Sequence, residues 1–260
     1  MKVFITGASS GIGAALAKAY AARGAECALV ARRGEALETL RRSLPNAKSH
    51  RTYAVDVTDA DALAAAAADY MAERGVPDIV IANAGISHGT DSGDARDLAV
   101  FRRIIETNVI AIVATFTPFI EAMTNAPVPE GGRRLVVIAS VAGVRGLVGA
   151  GAYSASKAAA INYAESLRVE LRDSPIRVVT IAPGYIATPM TADNPYRMPF
   201  LMPVDRFAEQ AVRAIASGTS FIVIPWQMAW VARVMRVLPN ALFDKASAGA
   251  RRKPRMPDRD

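Results

Sequence analysis

Two residues four positions apart, Tyr153 and Lys157, carry the clearest chemistry in the chain. The run Tyr153-Ser154-Ala155-Ser156-Lys157 opens a segment of helical patterning, so the two side chains share one helix face. A tyrosine with an ordinary pKa of about 10 is a poor acid–base group at neutral pH. A nearby cation favours the phenolate and lowers that pKa, and Lys157 supplies one. The pair could give or take a proton at a substrate oxygen. A second constellation, Thr6-Gly7-Ala8-Ser9-Ser10-Gly11-Ile12-Gly13, joins a short apolar run to an amphipathic helical pattern. Small residues there let the backbone turn sharply, approach a pyrophosphate and aim helix amino-terminal N–H groups at it. A third, Arg32-Arg33, follows the apolar run Cys27-Ala28-Leu29-Val30-Ala31. Guanidinium groups match phosphate geometry.

These residues need elements to position them. Strand-like runs near 2–6, 26–31, 51–55, 78–82, 133–139, 176–182 and 221–224 alternate with helical patterns near 11–23, 34–44, 59–74, 97–124, 151–173, 203–217 and 226–238. That alternation predicts βαβ units and a parallel sheet. The expected fold class is α/β: a Rossmann-like, doubly wound, seven-stranded parallel sheet in a three-layer α/β/α sandwich. Residues 1–245 form one domain, with an extra amphipathic helix near 226–238. The proline-rich stretch 187–203 is too irregular for a regular element. Residues 246–260 read as a basic, disordered tail.

The spacing Gly-x-x-x-Gly-x-Gly in Thr6–Gly13 resembles the nucleotide-binding signature of the short-chain dehydrogenase/reductase family, and the resemblance continues to about residue 224. It implies hydride transfer between a nicotinamide and a carbonyl or secondary alcohol. Gly7, Ser9, Ser10, Gly11, Ile12 and Gly13 would cradle the pyrophosphate. Ala31 stands where an NAD enzyme of this family often places an aspartate, and Arg32 follows, so the expected cofactor is NADP, with Arg32 the main 2′-phosphate ligand and Arg33 assisting. Asp56 and Val57 resemble the pair bordering the adenine, and Asn83-Ala84-Gly85 is similar to the family's motif after the fourth strand. Pro183, Gly184, Ile186 and Thr188 resemble the segment that holds the nicotinamide amide. Tyr153 and Lys157 match the family's Tyr-x-x-x-Lys, and both would also touch the cofactor. Ser140 matches its catalytic serine, able to hydrogen-bond the substrate oxygen. Asn108 matches the asparagine of the tetrad, with the implied role of holding a water that links Lys157 to solvent.

By the same resemblance, 187–203 is the substrate lid, and Met190, Tyr196, Met198, Phe200, Leu201 and Met202 suit a lipophilic ketone or aldehyde. Val144 and Leu147 are expected on the opposite wall. A 3-oxoacyl-thioester reductase is an alternative, and a non-catalytic nucleotide-binding regulator an alternative of another class. A homodimer or homotetramer is implied, paired through the helices near 97–124 and 151–173; Ile105, Ile112, Phe116, Ala159 and Tyr163 are compatible with pairing or with facing the sheet.

The remaining composition narrows the partners. The 260 residues carry a formal charge of +7, but the basic residues are scattered outside the tail and no nucleic-acid motif is present. The lone cysteine, Cys27, allows no intrachain disulfide, and its apolar run predicts a buried strand residue. His50 and His88 are too far apart to suggest a metal, and none is expected. The chain enters a strand almost at once, without room for a signal peptide. A cytoplasmic location is the expectation. The helix near 226–238 with Arg251-Arg252-Lys253-Pro254-Arg255 leaves peripheral membrane contact open.

Overall fold

In the computed structural model, which describes residues 1–250 and 252–255, the apolar runs assemble into a seven-stranded parallel sheet. The stretch 187–203, expected to be irregular, holds a short helix Pro189–Ala192 and a two-stranded parallel ladder of Ile186–Ala187 with Met202–Pro203. The strands of the main sheet are β1 Lys2–Thr6, β2 Glu26–Ala31, β3 Arg51–Ala54, β4 Ile79–Ala82, β5 Arg133–Ile138, β6 Ile176–Pro183 and β7 Phe221–Ile224. Their spatial order is β3-β2-β1-β4-β5-β6-β7. Val3 sits opposite Cys27 on one side and Ile79 on the other, and Leu135 sits opposite Val178. The order reverses direction between β1 and β4. In a doubly wound sheet, that reversal opens a crevice beyond the carboxyl ends of the two strands.

Both faces of the sheet are apolar, as parallel strands covered on two sides must be. The main helices are α1 Gly11–Ala21, α2 Gly34–Ser43, α3 Ala60–Arg74, α4 Asp97–Ile105, α5 Ala111–Asn125, α6 Gly151–Glu170, α7 Val204–Ser217, α8 Trp226–Val237 and α9 Asn240–Ser247. α1, α2 and α7 close one face through Leu16, Leu37, Phe207 and Ile215. α3, α5 and α6 close the other through Leu63, Tyr70, Phe116, Phe119 and Leu167. Phe4 joins that second core, with its ring 4.8 Å from Phe119 and 5.8 Å from Tyr70. The thiol of Cys27 is buried on β2, and desolvation pushes its pKa up to about 12, which leaves it inert at neutral pH.

The structure departs from the sequence reading in several places. The helix near 97–124 is two helices joined by a π-helical turn, Glu106–Ile110, that contains Asn108. Such turns recur at functional sites because they redirect side chains. By length and composition Asp97–Asn125 could cross a membrane, yet Ile112, Phe116, Phe119 and Met123 pack against the sheet as core residues. Ile112 and Phe116 are therefore unavailable for subunit pairing. α9 follows Leu238-Pro239 and is not foreseen from the sequence. Within α8 the side chains of Met228 and Ala232 turn inward, while Trp226, Trp230, Val234 and Val237 stay exposed. Arg145 donates to the carbonyls of Met235 and Leu238 and to Asn240 Oδ1, tying the α8–α9 corner to the loop after β5.

Candidate active site

The crevice at the β1/β4 reversal divides into three adjoining hollows. The first, about 170 Å³, is lined by Gly7, Ala31, Arg32, Asp56, Val57, Ala84 and Gly85, together with Arg103 and Thr107. The second, about 120 Å³, lies against Gly7, Ser10, Gly11, Ile12, Asn83 and Thr188. The third, about 100 Å³, gathers Ser140, Tyr153, Lys157, Pro183, Gly184, Ile186, Thr188 and Met190. Gly7, Asn83, Gly85, Ile12 and Thr188 are shared between neighbouring hollows, so the three form one elongated cleft.

Its floor is built by glycine and by a Thr–Asn clamp. Gly7 has φ +68°, in the left-handed region, and a Cβ there would lie 2.8 Å from Ala84 Cα. A Cβ on Gly13 would run into the Gly7 carbonyl, so α1 can close onto the loop only with glycine at that position. Asn83 donates from its side chain to the Thr6 and Gly7 carbonyls, at 2.9 and 3.2 Å, and from its backbone to Thr6 Oγ1 at 3.1 Å. This clamp locks the ends of β1 and β4 together. Ser10 caps α1 without a side-chain hydrogen bond to the helix, and no acidic residue occupies its first turn. The amino end of α1 therefore presents its N–H groups and positive dipole end to the cleft. These features fit a dinucleotide pyrophosphate.

Arg32 lines the adenine-side hollow, and Arg33 lies beside it in a different role. Arg32 lies 3.7 Å from the Asp56 carboxylate. Burial pushes the Asp56 pKa upward, but hydrogen bonds from Thr58 and the nearby Arg32 and Arg103 outweigh it and hold the carboxyl below its usual range. Arg33 instead reaches back to the phosphate loop, donating to Ser9 Oγ at 3.0 Å and Ser10 Oγ at 2.9 Å. It forms no ion pair with a carboxylate among the described residues.

The third hollow holds the reactive groups. Lys157 is buried on α6 and donates to the Ile138 carbonyl at 2.8 Å; desolvation pulls its pKa down to about 8. Its ammonium lies 5.9 Å from the centre of the Tyr153 ring. Burial pushes the Tyr153 pKa above the usual value, and a hydrogen bond with Ser140 opposes that shift. Ser140 ends β5 in extended backbone and caps the 3₁₀ turn Val141–Gly143, its Oγ accepting the Ala142 N–H at 3.1 Å. With one lone pair so used, its O–H is free to donate. A Cβ on Gly143 would lie 2.6 Å from the Lys157 carbonyl carbon, so the absence of a side chain lets this turn press directly on α6. At the opposite wall, Thr191 braces Thr188: its Oγ1 accepts the Thr188 N–H at 3.1 Å and donates to the Ile186 carbonyl at 2.6 Å.

Seventeen of the catalytic and cofactor residues singled out in the sequence line this cleft; Asn108, Gly13, Ser9 and Arg33 lie just behind or beside it. Asn108 is fully buried behind Gly85. Its Oδ1 accepts the Ile86 N–H at 2.8 Å, and its Nδ2 donates to the Ile86 carbonyl at 2.9 Å and Ser156 Oγ at 3.0 Å. Val144 lines a separate groove between α6 and α8. His50 is buried between the Cys27 N–H and the Pro45 carbonyl, a structural bridge. No cluster of metal-ligating side chains occurs among the described residues.

Sequence reasoning misses the segment next to the mouth of the third hollow. Arg252–Arg255, inside the stretch expected to be disordered, lies extended against residues 87–97. Lys253 donates to Ser87 Oγ at 2.9 Å, and its ammonium lies 6.0 Å from the Tyr153 ring centre. Arg251 and residues 256–260 lie outside the described residues.

A Rossmann-like sheet with a phosphate cradle at its switch point and a Ser–Tyr–Lys group at one end defines a nicotinamide oxidoreductase. Residues 1–198 match the family model described as short chain dehydrogenase, and the chain belongs to that family. An uncharacterized oxidoreductase of Myxococcus xanthus is 40% identical over 244 residues, covering 94% of each chain. The cis-4-hydroxycyclohexanecarboxylate dehydrogenase of Sinomonas cyclohexanicum is 35% identical over 231 residues, covering 84% of this chain and 90% of the relative. Among solved structures, an alcohol dehydrogenase from Thermococcus sibiricus complexed with 5-hydroxy-NADP shares the fold, with TM-score 0.74 and 24% identity over 86% of this chain and 95% of that one. The protein is thus an enzyme of the short-chain dehydrogenase/reductase family, acting between CH–OH and C=O on a small molecule with NAD(P).

Proposed function

We propose that the enzyme reduces a lipophilic ketone or aldehyde with NADPH, or oxidises the matching secondary alcohol with NADP. The observation that carries this reading is the hollow in which Ser140, Tyr153 and Lys157 face Pro183, Gly184 and Thr188. Bound NADPH supplies the hydride. Tyr153, kept protonated at neutral pH by burial, donates its proton to the carbonyl oxygen. Ser140 donates a hydrogen bond to the same oxygen as charge develops on it. Lys157 lends positive charge to the phenolate that Tyr153 becomes, and orients the nicotinamide ribose. Asn108 fixes the Gly85–Ile86 backbone beside Lys157, and we place the proton relay to solvent there.

The preference for NADP rests on charge. Ala31 offers no carboxylate to a ribose 2′-hydroxyl, and Arg33 with Ser9 and Ser10 forms a cationic, hydroxyl-lined corner suited to a 2′-phosphate. Arg32, which lines the adenine-side hollow and lies 3.7 Å from Asp56, is placed to share that phosphate. On the lid side Met190 lines the hollow, whereas Phe200 and Leu201, expected there from the sequence, are exposed and Met202 is buried in the core. The name of the Sinomonas relative records a ring secondary alcohol, the class of alcohol proposed for this enzyme. The test is a steady-state screen of apolar ketones, aldehydes and secondary alcohols with NADPH and NADP against NADH and NAD controls. Turnover of apolar carbonyls with NADPH, at least ~10-fold better than with NADH, is the expected result. Equal use of both cofactors would remove the NADP assignment.

A further inference from the structure

The carboxyl-terminal strap is held by contacts that the chain is shaped to receive. Pro254 accepts the Gly89 N–H through its carbonyl at 2.8 Å. Arg252 pairs with Asp91 at 3.2 Å, and Arg255 pairs with Asp94 at 2.6 Å and Asp97 at 3.0 Å. Two glycines make room for it. A Cβ on Gly89 would strike the Lys253 carbonyl, and one on Gly149 would lie 2.8 Å from Arg252 Cβ. The strap thus sits on both the loop after β4 and the loop before α6, which flank the reacting phenol.

Three cations occupy this strap, and they are not used alike. Arg252 and Arg255 are neutralised by carboxylates, which anchors the segment on either side of Lys253. Lys253 has no carboxylate partner among the described residues. Its ammonium is partly buried, donates one hydrogen bond to Ser87, and stands 6.0 Å from the Tyr153 ring. The groups around it supply no carboxylate: the ammonium lies over the Tyr153 ring, and His88 is close enough to feel its charge. An ammonium taken partly out of water with donors unspent is costly unless an anion completes its shell. Burial alone depresses its pKa, in keeping with a charge awaiting a partner.

We propose that Lys253, with Ser87, binds an anionic group of the substrate, and that the natural substrate is a lipophilic oxo or hydroxy acid whose carboxylate docks beside the reacting carbonyl. This rests on the assignment of the third hollow as the carbonyl site. The strap makes Lys253 a specificity-determining residue supplied from the far end of the chain. The carbon skeleton then lies toward Met190, and the ammonium fixes the end at which the acid group lies.

The experiment compares the full-length protein with its Lys253→Met, Lys253→Arg and Gly89→Ala variants. The probes are 4-oxopentanoate, 6-oxoheptanoate and their methyl esters. Binding to the enzyme is measured by ligand-observed NMR, which needs no turnover, and kcat and KM are measured with NADPH. The unaltered enzyme should bind the better keto acid ~10- to ~100-fold tighter than its ester. Lys253→Met should bring that ratio toward one, with the change in KM rather than kcat, and Lys253→Arg should restore most of it. Gly89→Ala should also erode the preference, because it displaces the strap while leaving Lys253 in the chain. Acids and esters bound equally by the unaltered enzyme, or an acid preference that survives Lys253→Met, would overturn the proposal. Selective binding of acids with no NADPH oxidation would uphold the anion site and instead sink the carbonyl-reductase reading.

Discussion

Burial acts in opposite directions on Tyr153 and Lys157, and the reaction uses both effects. Desolvation keeps the phenol protonated and ready to donate, while it brings the ammonium within reach of neutral pH, to about 8. Carbonyl reduction needs a protonated Tyr153 and a charged Lys157 to receive the resulting phenolate. Both conditions hold below about pH 8; as pH rises through the Lys157 value the ammonium is lost while the phenol stays protonated. The reductive kcat/KM should therefore be level near neutrality and decline on the alkaline side. Alcohol oxidation starts from the phenolate, so its rate should climb with pH. Lys157→Met should hold reductive kcat/KM at its low alkaline level across the whole pH range, with no limb left; a limb that stays in place would assign it to another group. Much of this chemistry is legible in the sequence, because a Tyr and a Lys four apart on a helix must share a face. The Arg33 contacts are not. They span 23 and 24 positions and depend on how the β2 end swings toward the phosphate loop, which no local pattern encodes.

The elements matter through a few close approaches. α1 and the loop before it meet at Gly13, where even a methyl group has no space beneath the Gly7 carbonyl. Gly13→Ala should force that turn apart and weaken cofactor binding by ~10-fold or more, at modest cost to the rest of the fold; fluorescence titration with NADPH measures it. Unchanged affinity would mean that the cradle does not carry the pyrophosphate. The strands and most helices follow from the alternation of apolar runs and 3.6-residue patterns. The π turn at Asn108 does not, since Glu106–Ile110 has the composition of ordinary helix and the extra residue per turn is set by the Ile86 and Ser156 contacts. Nor does the position of Val144: the Val141–Gly143 turn swings it out toward α8 rather than over the hollow.

In the molecule as a whole, the two apolar layers pack on both faces of the sheet that carries the switch-point cleft. The Phe4–Phe119–Tyr70 cluster lines none of the three hollows, so Phe119→Ala should cost about 3–5 kcal/mol of stability without touching the cleft. Denaturant unfolding should show that loss while KM for NADPH stays the same in the folded fraction. The strap is the part least readable from sequence. Arg-Lys-Pro-Arg in a charged terminus has the composition of a solvated tail, and it takes its place from partners more than 150 positions away: the carboxylates at Asp91, Asp94 and Asp97, the Gly89 N–H and Ser87.

The central claim is that Tyr153 is the proton donor in hydride transfer from NADPH. Tyr153→Phe tests it most directly, because the ring keeps its packing and loses only the hydroxyl. NADPH oxidation by the best carbonyl substrate should fall at least ~10²-fold, while the dissociation constant for NADPH changes little. Turnover that survives the substitution would contradict the account.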